Sequence, residues 1–214
     1  MFLNLKKIIN IQYQMVKPLK ESYGIYLIVV SWLLMRVAMS DLNAKKRLMY
    51  LSGEDFYLYC YSILVILDSL GCHDGNDKYF RDYRKLAFLI DIISNDKNVY
   101  VISHAVGKEL NPKDYECLLD SYSSGLTRRS EILKLLFVLE KRGYVVLKRG
   151  RKIQEIDVML RKNNLPDNFL GEPIFESEYK NIKSVSQKVR RLASLTLETM
   201  LKKIYVDNGV KIWG

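Results

Sequence analysis

Residues 54–70, EDFYLYCYSILVILDSL, carry apolar side chains almost all round a helix. A helix with no polar face cannot lie on a surface and has to be wrapped by other elements, so this stretch is the expected centre of a core. The 214 residues suffice for one large domain or two small ones. Gly71 stops the helix, and Cys72 to Asp77 read as a turn-rich loop. In residues 79–94, Tyr83, Leu86, Leu89, Ile90 and Ile93 recur at three- and four-residue spacing, which predicts a helix with one apolar stripe. Asn95 to Asn98 interrupts it, and a short helix is expected around 99–108.

Asn111-Pro112 starts the next unit, with Asn as N-cap and Pro at the first helical position. That helix is expected to end near Ser124-Gly125. Thr127 and Ser130 offer capping hydroxyls to a second helix, whose stripe is Ile132, Leu135, Leu136 and Leu139 and whose stop is Gly143. Two strands follow, in YVVLKRG and KIQEIDVML, around the turn Arg149-Gly150-Arg151-Lys152. After a loop containing Pro166 and Pro173, residues 184–205 return to helix through Val185, Val189, Leu192, Leu195, Leu197 and Leu201. Lys183, Lys188, Arg190, Arg191, Lys202 and Lys203 lie on its polar face. The expected architecture is mainly α with a small β-hairpin. A helical N-terminal region (1–110) precedes a winged-helix-like segment (111–165), then a linker and a long basic C-terminal helix (166–214).

Charge sharpens this reading. The net charge is +10, which favours a polyanionic partner, nucleic acid before anionic membrane. Residues 125–170 hold eleven basic and five acidic side chains, whereas residues 61–124 hold seven and ten. The excess therefore flanks the predicted hairpin. On a winged helix, Arg128, Arg129 and Lys134 would face DNA from the helix, and Lys148, Arg149, Arg151 and Lys152 would meet phosphates from the wing tip. No side chain in this set identifies a base, so double-stranded DNA would be bound with little sequence preference. Protein docking by the same module is the competing reading.

Catalytic signatures are sparse. Neither phosphate-binding glycine loop nor nucleophile elbow occurs, and the histidines are only His73 and His104. No metal or cofactor is expected; Cys72, His73, Asp74 and Asp77 lack the paired spacing of a structural zinc site. Cys60, Cys72 and Cys117 form no disulfide framework, which suits a reducing cytoplasm. One enzymatic alternative is a restriction-type nuclease, with Glu155 and Asp157 on one strand and Glu178-Tyr179-Lys180 on the next holding Mg²⁺. Its weakness is the polar neighbourhood of Glu178, where a buried apolar strand is needed. Another alternative is a stand-alone winged-helix transcriptional regulator. The apolar stretch from Gly24 to Met35 is too short to span a bilayer and is expected to be a buried helix rather than an anchor. Met15, Met35 and Met39 are alternative natural starts.

Three stretches also carry a family resemblance. They are Asp82-Tyr83-Arg84-Lys85-Leu86 leading into Ala87-Phe88-Leu89-Ile90, then Leu139-Glu140-Lys141-Arg142-Gly143-Tyr144-Val145, and Phe175-Glu176-Ser177-Glu178-Tyr179 before a basic helix. Together they resemble the middle, small subunit of bacterial three-component SMC-type defence systems of the Lamassu kind, over residues 60–205. The resemblance implies a non-catalytic subunit that links an SMC-like ATPase to a nuclease or other effector in antiviral or anti-plasmid defence. It carries over no catalytic residue and places no counterpart for the first fifty residues.

Overall fold

The computed structural model describes residues 55–104, 110–165, 169–170 and 176–212. The chain divides into two compact units, Met1–Tyr57 and Leu58–Gly214. The apolar stretch 24–35 lies outside the described residues. Those described are mainly helical with one two-stranded antiparallel sheet. The divisions expected after residues 110 and 165 fall within the second unit.

Helix α1 (Asp55–Ser69) is the expected core helix. Ile63, Leu64, Val65, Ile66 and Leu67 follow one another and are all buried, so every side of the helix is covered. Helix α2 (Arg84–Ile93) is buried almost all round as well, beyond the single stripe its spacing predicts. It starts later than residue 79 because the backbone before it is committed elsewhere. Phe80 exchanges hydrogen bonds with Val158 (2.7 and 2.9 Å), and Tyr83 N–H donates to the Ile156 carbonyl at 2.8 Å. Helix α3 (Asp96–His104) follows directly.

Helix α4 (Pro112–Lys141) departs most from expectation. Its start is as read, with the Asn111 side chain accepting from Asp114 N–H at 2.8 Å and Pro112 in the first turn. The break expected at Ser124-Gly125 is absent, and one helix of 30 residues runs through it. Gly125 serves packing instead. A β-carbon there would lie 2.3 Å from Cδ1 of Phe88, so the missing side chain lets α2 and α4 approach closely. Thr127, read as a cap, donates back to the Ser124 carbonyl inside the helix. Gly143 does stop α4. The Tyr144 N–H bonds to the Leu139 carbonyl and the Gly143 N–H to that of Glu140, a Schellman ending.

Strands β1 (Val145–Arg149) and β2 (Ile156–Leu160) form the hairpin, with Val145 opposite Leu160 and Arg149 opposite Ile156. The backbone at Phe80 bridges the other edge of β2. The single C-terminal helix expected over 184–205 is two helices, α5 (Glu176–Lys188) and α6 (Leu197–Ile204). Between them Arg191 turns through φ 61°, and the Thr196 side chain caps α6 by accepting from Thr199 N–H. The break coincides with a tertiary contact. Lys85, fully buried on α2, donates its ammonium to the carbonyls of Leu192, Ala193 and Leu195 at 2.8–2.9 Å. Residues 192–195 thus turn three carbonyls onto one buried cation where the expected helix would have continued. Phe88, Tyr122 and Tyr205 meet in an aromatic cluster, with centroids 5.3–6.2 Å apart, where α2, α4 and the end of α6 converge.

Candidate nucleic-acid interface

The seven basic residues read as DNA contacts separate into two groups. Lys148, Arg149, Arg151 and Lys152 gather at the free end of the hairpin, and all four are exposed. Lys134 is exposed on α4. Arg128 and Arg129 are half-buried and turn toward the body of the unit. Arg128 pairs with Asp91 on α2 and lies 5.4 Å over the Tyr59 ring. The Arg129 guanidinium lies 5.1 Å over Phe88. Burial and the neighbouring Arg84 charge push its pKa down. Both arginines are better placed to join helices than to meet phosphates. A pair at consecutive helical positions shows in sequence only that two cations are present, not which way they point.

The hairpin tip has a built geometry. The ladder ends at Arg149 and Ile156, leaving residues 150–155 as a closed loop. Gly150 N–H donates to the Glu155 carbonyl at 2.8 Å, and Glu155 N–H to that of Lys152 at 3.0 Å. A β-carbon on Gly150 would lie 2.6 Å from that of Glu155, so glycine is what permits this closure. Glu155, the acid nearest the tip in sequence, is 2 % exposed and forms an ion pair with Arg81 at 3.5 Å. Its charge is thereby withdrawn from the tip surface. Asp157, opposite Lys148 in the ladder, accepts from Asp82 N–H at 2.9 Å. Lys148 extends over the Tyr79 ring at 5.3 Å. Lys152 approaches Glu198 at 3.6 Å with both groups well exposed, a contact of small energetic weight. The result is four cations on one narrow projection. The pairing of Glu155 with Arg81 had no local signal, since the two stand far apart in sequence.

Residues of the nuclease alternative are arranged differently from its requirement. Glu178 and Lys180 lie on helix α5, not on a strand. Positions two apart on a strand share a face, whereas on a helix they differ by about 200°. Accordingly Glu178 is buried, taking hydrogen bonds from Tyr61 and Ser177, while Lys180 is exposed. Among the described residues, no group of three or more His, Cys, Asp or Glu is placed to hold a metal ion. Cys60 is buried, which pushes its thiol up to about 12, so it behaves as a small apolar residue. No helix among the described residues is long and apolar enough to cross a membrane. No family model, curated protein or solved structure matches the chain.

Proposed function

We propose that this protein is a non-catalytic accessory subunit that contacts double-stranded DNA through the hairpin tip, within an assembly driven by an SMC-like ATPase and coupled to an effector such as a nuclease. The observation that carries the DNA contact is the tip itself: Lys148, Arg149, Arg151 and Lys152 exposed together while Glu155 is folded inward. Four exposed cations on a projection, of which Lys152 alone is near an exposed acid (Glu198, 3.6 Å), suit phosphates, whose neutralisation releases counterions. Of a winged-helix-like module the fold retains a helix ending at Gly143 directly before the hairpin, while the turn expected at Ser124-Gly125 is replaced by one continuous helix. The ATPase and effector partners follow from the family resemblance, and they explain how a chain without a recognisable catalytic motif takes part in defence. Co-expression with neighbouring gene products tests this assembly. Recovery in a stable complex with an SMC-like ATPase is expected, and recovery as a lone monomer beside that ATPase would contradict it.

A stand-alone winged-helix regulator is the second reading. Phe137, 52 % exposed on α4, gives a homodimer an aromatic side chain to cover. That reading requires a stable dimer and paired half-sites.

A further inference from the structure

Ile153 stands at the apex of the basic tip and is 85 % exposed, more than any other large apolar side chain among the described residues. The strand pattern assigns it to the ladder, but pairing starts only at Ile156, so Ile153 projects beyond the sheet. The tip loop is braced by the two backbone hydrogen bonds that join Gly150, Lys152 and Glu155. Arg151 and Lys152 directly precede Ile153 in the loop, Arg149 ends the strand before the loop, and all three are exposed.

We propose that Ile153 is a wedge that enters the minor groove of duplex DNA and inserts at a base step, while the neighbouring cations hold the flanking phosphates. This rests on the DNA-contact reading above and adds a mode of engagement to it. Apolar side chains flanked by basic ones unstack base steps in this way and bend the duplex. The alternative polyanion, an anionic membrane, is less well matched. Even a whole myristoyl chain alone gives only marginal membrane binding, and this tip offers one aliphatic side chain that would bury far less apolar surface beside its basic residues. A DNA wedge needs only one.

The test uses the full chain, a 20-base-pair duplex carrying 2-aminopurine, and vesicles containing phosphatidylserine. Wild-type protein is expected to raise 2-aminopurine fluorescence on binding. Ile153→Ala is expected to abolish that rise and weaken affinity about tenfold, the order expected for burying one aliphatic side chain, with the salt dependence unchanged. Ile153→Leu should restore the signal. The wedge is overturned if Ile153→Ala binds and unstacks DNA as the wild type does, or if Ile153 governs vesicle binding and leaves DNA binding untouched. Salt-dependent binding that persists without any unstacking overturns the wedge alone. Loss of salt-dependent DNA binding in the wild type removes the DNA-contact reading as well.

Discussion

Gly125 and Phe88 are in direct steric register: a β-carbon on the glycine would lie 2.3 Å from Cδ1 of the ring. That ring is already stacked on Tyr122, with centroids 5.8 Å apart, so it has little room to turn away. Gly125→Ala should therefore destabilise the fold. Overpacking costs about 1–3 kcal/mol, against a gain of about 1 kcal/mol from alanine's helix propensity. Urea denaturation should show a lower midpoint for Gly125→Ala, and Phe88→Leu in the same chain should recover much of it. A stabilised single variant would mean that α2 and α4 are not so closely packed.

Lys85 gives a pH dependence with a definite sign. Burial pushes its ammonium down to about 7, partly opposed by the Asp82 charge. The unfolded chain holds it at about 10.4. Between these values the unfolded state binds more protons, so this group makes stability rise with pH, by at most about 1.4 kcal/mol per unit. Below about 7 both states are protonated and the contribution is flat. The stability difference between wild type and Lys85→Met should grow from pH 7 to 9, with other ionisations common to both proteins. Parallel curves would show that the ammonium keeps its proton in the carbonyl cage.

Arg128 should behave as a structural residue. Its ion pair with Asp91 is mostly shielded, with side chains 14 % and 22 % exposed. Arg128→Met leaves Asp91 without this partner and should cost about 1–3 kcal/mol. Thermal unfolding should register the loss. The salt slope of DNA binding by the folded variant should match the wild type, and a shallower slope would restore Arg128 to the interface.

Elements with local causes were readable from the sequence. The all-round apolar run 54–70, the Asn111-Pro112 cap, the Gly143 stop and the hairpin each depend on neighbours within a few residues. The errors lie at contacts between distant segments. A glycine that ends a helix and one that admits a neighbouring ring look alike in sequence, so Gly125 carries no local mark of its packing role. The interruption between α5 and α6 coincides with the contacts of Lys85, more than a hundred residues earlier. At the interface, the tip cations were legible because a hairpin end is exposed by geometry. The inward turn of Arg128 and Arg129 was not, because it depends on Asp91, Tyr59 and Phe88 being packed alongside.

The most direct test of the central claim is fluorescence anisotropy of duplex DNA binding across a salt series, comparing wild type with a variant carrying Gln at 148, 149, 151 and 152. Each phosphate contact adds about −0.9 to the slope of log affinity against log salt, so four tip cations predict roughly −3 to −4 for the wild type. The variant should lose most of that slope and bind far more weakly at low salt. Equal affinity and slope in the two folded proteins, or no DNA binding by the wild type, would contradict the account.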